Sequence, residues 1–204
     1  MTTTSDFWTK GVDRDNVLGG PARVLVAKRS LTTYPEKISD VLSLATYDPA
    51  TNWHDLGHTT EPFDIADGFD TTDWISQQLG KINVQVGTWN RTIGVTLMET
   101  DNDWVMDVAH ESDGRTVNAD GDEVIYMWDK SDVVEWRVAA IHLAEGQSAG
   151  VNIVMDVFPN CKRSGADSTT SWDRSNPQLA TLEMTPFPDE NVPNDANWYR
   201  IRQQ

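Results

Sequence analysis

Cysteine is nearly absent from this chain of 204 residues; Cys161 is the only one. A single thiol excludes an intrachain disulfide and a cysteine-based zinc site. Basic residues are also scarce: 16 Lys and Arg stand against 32 Asp and Glu, for a formal net charge of −16 and a pI near 4.4. Duplex DNA is held mainly by cations that neutralise phosphates, so this balance argues against a DNA-binding protein. It does not argue against a protein that DNA slides past, and solubility alone accounts for the acidity about as well. No apolar run approaches the roughly 20 residues that a membrane span needs. Residues 1–6 (MTTTSD) lack the basic and apolar regions of a signal peptide, which gives the expectation of a soluble protein made and kept in the cytoplasm. There is no phosphate-cradling glycine loop, no G-x-S-x-G elbow and no recognisable Cys–His arrangement.

Hydrophobic content is 38% and charged content 24%, which suits an ordinary globular chain of one elaborated domain. Residues 1–21 are polar, end in Gly-Gly-Pro, and read as an N-terminal arm; 22–190 read as one domain and 191–204 as a polar C-terminal tail that keeps Trp198, Tyr199 and Ile201. Residues 23–28 (RVLVAK) carry a β-branched strand signal. A helical turn is expected after Pro35, a loop at 47–52, and a half-buried strand where Phe63 and Ile65 flank Asp64, with a turn at Asp67-Gly68.

The clearest period-two pattern lies in 81–86 (KINVQV) and 92–97 (TIGVTL). Ile82, Val84 and Val86 share one parity, as do Ile93, Val95 and Leu97; Lys81, Asn83 and Gln85, and Thr92, Gly94 and Thr96, take the other. Two such runs joined by 87–91 predict an antiparallel hairpin with one apolar face and one hydrophilic, weakly charged face. A helix is predicted at about 102–111, capped from residues 101–103, with Trp104, Val105, Val108 and Ala109 at helical spacing. Residues 112–132 read as a loop or small excursion. Strands are expected at 133–143, 150–158 and 179–185, with a long polar loop from 160 to 177. The fold class that follows is mostly β, a β-sandwich or barrel of about seven or eight strands with one flanking α-helix.

Candidate chemistry is thin. His54 and His58 are four apart, but the turn-like 55–57 between them and the lack of a third ligand read as packed or solvated histidines rather than zinc. Residues 116–121 (TVNADG) are loosely like a calcium loop, yet Thr116 and Met127 stand where that loop needs an acid and a glutamate. Asp113, Asp120 and Asp122 read as a solvated turn. With 32 acids, chance carboxylate pairs are numerous, and no motif selects any two for glycoside hydrolysis. No catalytic residue, metal or cofactor is assigned, and the chain is not expected to be an enzyme. Nine tryptophans are many for this length. Trp104 and Trp136 sit on patterned faces and read as core, whereas Trp53, Trp89 and Trp172 sit in loops or turns and read as subunit contacts.

Residues 53–59 (WHDLGHT) resemble the W-x-x-L-G-x-T-like segment that many tail tube proteins of long-tailed bacteriophages carry after their first strand and loop. Residues 92–100, leading into Trp104, are similar to that family's strand ending in a leucine and an acid before a helix. Residues 157–160 (VFPN) and 185–189 (TPFPD) are similar to its C-terminal phenylalanine-proline steps. The motifs are short, and it is their order over about 22–190 that carries the resemblance.

The resemblance implies the major tail protein of a virion, made in the host cytoplasm. Six copies would form a ring, and rings would stack into a tube around a tape-measure protein, meeting tail-tip and tail-terminator proteins at its ends. DNA would pass through without specific binding, and no membrane is involved. Asn83, Gln85, Thr92 and Thr96 are then candidates to line the lumen, and Trp53, Leu56, Trp89, Trp172 and Trp198 to make inter-subunit contacts. The alternative expectation is a carbohydrate-binding β-sandwich module of a virion or secreted protein, which needs exposed coplanar tryptophans in one groove.

Overall fold

A computed structural model of the chain describes residues 22–57, 59, 63–76, 80–98, 102–110, 114–126, 133–143, 153–164 and 179–203. Among the described residues, ten strands and one α-helix run in the order β1 (Arg23–Lys28), β2 (His54–Asp55), β3 (Asp64–Ser76), β4 (Gly80–Leu97), α1 (Asp103–His110), β5 (Gly114–Val117), β6 (Glu123–Tyr126), β7 (Trp136–Leu143), β8 (Ile153–Arg163), β9 (Ala180–Pro186) and β10 (Tyr199–Arg202). The main sheet is ordered β2-β1-β7-β8-β9-β4-β3, β10 also pairs β8, and β5-β6 stand apart as a two-stranded ribbon. Every pairing between these strands is antiparallel. The mostly-β sandwich or barrel with one helix expected from the pattern is the fold observed.

Strands β1, β7 and β8 are the apolar middle, buried on both faces as their near-continuous Val, Leu, Ile and Ala runs require. One face of this middle holds Val24, Val26, Val138 and Phe158, which pack against Leu182 and Met184 of β9 and Ile93, Val95 and Leu97 of β4. The helix closes the same core with Val105, Val108 and Ala109. Asn102 caps it, its Oδ1 accepting the Trp104 backbone N–H at 3.0 Å. The opposite face, carrying Leu25, Ala139, Ile141 and Met155, is covered by Ile38, Val41, Leu42 and Trp53 from the 32–53 connection.

A proline inside β8 marks where that strand changes neighbours. Trp136 pairs with Cys161 but Val138 with Phe158, so β8 carries an extra residue at Pro159-Asn160. Proline has no N–H to give a ladder, and a bulge is where a strand interior tolerates it. On its other edge β8 pairs β10 before this bulge (Val154 to Val157) and β9 after it (Cys161 to Arg163). The bulge thus marks where one strand exchanges one neighbour for another.

The hairpin predicted between 81–86 and 92–97 is not formed. Both runs belong to the single 18-residue strand β4, and its hairpin partner is β3. Asp67-Gly68, expected as a turn, lies within β3 opposite Arg91 and Asn90. The physical reason is a bulge: Phe69 pairs with Trp89 but Thr71 with Val86, so Gly87-Thr88 adds one residue to β4. Gly87 fits there because a Cβ would come within 3.2 Å of the Asp70 carbonyl oxygen. Beyond residue 190 the chain makes a 3-10 turn at Pro193–Asp195 and then β10. The excursion at 112–132 contains the β5-β6 ribbon, with Gly121 at φ 91° in its turn.

Candidate functional site

The bulge at 87–88 reverses the parity of β4, and so brings together the residues that the alternation singles out. Residues 92 and 90 pair with 66 and 68 of β3, while 85 and 83 pair with 72 and 74. By register, then, Asn83 and Gln85 fall in phase with Thr92 and Thr96 despite their odd numbers. Gln85 is exposed, and Thr92 and Thr96 are half-buried between the buried Ile93, Val95 and Leu97. The same outward face carries Asp64 and Glu183, which flank Gly94 from β3 and β9. Asp64, Ala66, Gly68 and Asn90 on the hairpin, and Thr181 and Glu183 on β9, are exposed and include no Lys or Arg. This is a broad hydrophilic surface of low charge and acidic sign.

The inward face of the hairpin behaves differently along its length. Near the core it supplies Ile65, Ile93 and Val95. One step further out, Arg91 donates through Nε and Nη2 to Asp67 and through Nη1 to Asn197 Oδ1 at 2.7 Å, with its guanidinium 4.8 Å from the Trp198 ring centre. One more step out, Trp89 and Phe69 face each other with ring centres 4.9 Å apart. They are 64% and 50% exposed. A face that is core at one end is therefore aromatic and solvent-exposed at the other.

Of the five tryptophan and leucine positions expected as contacts, Trp89 has the exposure that a contact needs. Trp53 and Leu56 are 4% and 1% exposed and belong to the subunit's own cores. The chain crosses the β2 edge of the sheet between them, so each side chain drops into a different cluster, Trp53 on one face and Leu56 on the other. Gly57 turns the chain there at φ 80°. Trp198 is half-buried, stacked on Phe158 with ring centres 6.2 Å apart, and its Nε1 donates to Asp156 Oδ1 at 2.9 Å. Trp172 lies outside the described residues. Trp136 is core as expected, and Trp104 packs partly buried against the core with His54 stacked on its ring.

His58 and Asp113 also lie outside the described residues. In the 118–122 turn, Asn118 Oδ1 accepts the backbone N–H groups of Asp120 and Asp122 at 3.0 and 2.9 Å, which is the chemistry of a polar turn. Among the described residues no three His, Cys, Asp or Glu side chains converge as metal ligands. No helix of the described residues is long and apolar enough to cross a membrane.

Sequence reasoning missed two buried charge centres. Asp156, in the middle of an apolar strand, is fully enclosed and accepts Arg200 Nε and Nη2 at 2.7 and 2.8 Å. Asp189 is equally enclosed and accepts Arg29 Nη2 and Nε at 2.9 and 3.1 Å. For Asp156 the one signal available was a lone aspartate among apolar residues, which alternation alone assigns to a solvent face; Asp189, followed by Glu190 and Asn191, carried none. No protein-family model matches the chain, and no curated protein matches it in sequence.

Proposed function

We propose that the chain is a structural subunit that assembles with copies of itself into stacked rings, forming the tail tube of a long-tailed bacteriophage and so the conduit for its genome. The observation that carries this reading is the overhanging β3-β4 hairpin. Its core-facing side continues beyond the subunit as the exposed Phe69–Trp89 pair, an apolar surface that a neighbouring copy would cover. Support comes also from β3 itself, a 13-residue strand at the end of the sheet order with one edge unpaired among the described residues. Such an edge is a template for pairing with another chain. The outward face with Gln85, Thr92, Thr96, Asp64 and Glu183 suits a lumen, since acids repel phosphates and neutral polar groups release no counterions. In this reading the subunit has no catalytic role and no cofactor. Its partners are its own copies, a tape-measure protein, and tip and terminator proteins in the virion.

Negative-stain electron microscopy of the purified protein, with size-exclusion chromatography alongside, tests the proposal. Rings or tubes with a central hole are expected. A species that stays monomeric even with tail-tip and tape-measure partners present would end it. The exposed Phe69–Trp89 pair is also the one feature favouring a carbohydrate-binding module, although the rings are inclined at 45° rather than coplanar. Binding on a glycan array, with no assembly, would favour that module instead.

A further inference from the structure

A cleft of about 800 Å³ opens between the 29–34 segment, residues 134–137 at the start of β7, and Glu190-Asn191. Its wall includes Arg137, which is 3% exposed. The neighbouring charges are already matched to one another. Arg29 gives Nε and Nη2 to Asp189 and Nη1 to Glu135 at 2.6 Å, and Lys162 takes the other oxygen of Glu135 at 3.1 Å. Asp189 Oδ1 accepts in addition the backbone N–H and the side-chain amide of Asn191 at 3.0 and 2.9 Å. Arg137 is left over. Its Nη2 is 3.6 Å from Asp189 Oδ2, too far for a hydrogen bond, and its Nε and Nη1 have no partner. Three cations thus share two carboxylates in this cluster. A buried guanidinium with two unsatisfied nitrogens is costly, even with an ion pair on its third, and its planar fork matches a carboxylate.

We infer that this cleft is a binding site for a carboxylate group, with Arg137 as the donor that receives it. A monoanion fits better than a phosphate dianion, because Glu135 and Glu190 also line the cleft. Thr33 on the 29–34 wall adds a hydroxyl group, whereas the Tyr34 hydroxyl already donates to Glu36 at 3.2 Å. Burial lowers the Arg137 pKa and Asp189 opposes that fall, so a bound carboxylate would restore the charge balance that the fold leaves open. The carboxylate has two sources: a small organic acid, or an acidic side chain of a second copy of this acid-rich chain. The inference holds for either and does not rest on the tube reading.

The test is the Arg137 Nε–Hε resonance of the ¹⁵N-labelled wild-type protein, assigned through its backbone and titrated with sodium acetate against sodium chloride at equal ionic strength. Acetate is expected to shift that resonance and to raise the melting temperature by about 2 °C or more, with chloride doing neither. Arg137→Gln is expected to lose the thermal response. Because that variant can fail to fold, the wild-type resonance decides. If the resonance also moves on concentrating the protein alone, and acetate reverses the move, a second copy is the source. If it responds to acetate but not to protein concentration, the ligand is a free acid. Identical behaviour in acetate and chloride would mean that water alone satisfies Arg137, and would overturn the inference.

Discussion

Asp189 has no exposed surface, yet it is held as a carboxylate by Arg29 and Asn191. Burial by itself pushes its pKa up; the hydrogen bonds from Arg29 and Asn191 outweigh burial and bring it down to about 2. An unfolded aspartate titrates near 3.9, so on acidification the unfolded chain binds this proton first. The stabilisation is therefore complete above about pH 5 and lost as pH falls from there towards 2, amounting to about 2–3 kcal/mol. Asp189→Asn removes the charge between Arg29 and Arg137, and a loss of roughly 3–5 kcal/mol at pH 7 is expected from breaking a buried pair. Urea unfolding of both proteins from pH 7 to 3 checks this: the gap between them should narrow with acid. A gap that does not vary with pH would show that Asp189 acts through packing and not charge. Asp156 sets up a comparable asymmetry at β10. Arg200 is partly exposed and can turn to water, but Asp156 cannot. Arg200→Ala strands a buried carboxylate with the Trp198 N–H and His142 nearby, so it should cost more stability than Asp156→Asn, by about 1–2 kcal/mol. Equal losses would contradict the reasoning.

At the scale of elements, the two β4 bulge residues decide whether the hairpin keeps one face. Gly87→Val places a branched side chain where even a Cβ meets Asp70 at 3.2 Å, so the bulge must open. The expected result is faster amide exchange in 80–90 with global stability lowered by less than about 1 kcal/mol, because Ile93, Val95 and Leu97, which β4 gives to the core, lie beyond that stretch. Unchanged exchange in that stretch would show that the bulge does not depend on glycine. The same bulge explains what the sequence concealed. The alternation at 92–97 and the helix after Asn102 were legible, because each has a local period and a single buried face. A parity change across Gly-Thr-Trp-Asn-Arg reads equally well as a turn or as one inserted residue, and only the partner strand distinguishes them. That partner, β3, carries Asp64, Asp67, Asp70 and Asp73 with Gly68, residues that disfavour strands, so pairing with β4 overrides its own preference. Trp53 and Leu56 were misjudged for a related reason: a loop position carries no periodicity that announces burial, and the covering residues Ile38, Val41 and Leu42 come from an irregular connection. The hydrophilic face of Gln85, Thr92 and Thr96 was legible as composition, but its continuity through the bulge was not.

For the whole molecule, the question is whether the overhanging hairpin is an interface or an idle loop. Phe69 and Trp89 stand outside the buried clusters of the subunit, so replacing both with serine removes little that the monomer uses. Surface substitutions of this kind usually change stability by no more than about 0.5 kcal/mol. If the pair is instead buried between copies, it is the sort of aromatic anchor that carries much of an interface's energy, and removing it should cost assembly at least tenfold in critical concentration, or about 1.4 kcal/mol. The Phe69→Ser, Trp89→Ser double variant should therefore melt within a few degrees of the parent while losing rings and tubes by negative stain. A variant that melts normally and still assembles would place the interface elsewhere, leaving the open edge of β3 as the surface to test. A variant that loses substantial thermal stability as a monomer would show that the pair belongs to the subunit's own fold, and the observation carrying the tube reading would then be lost.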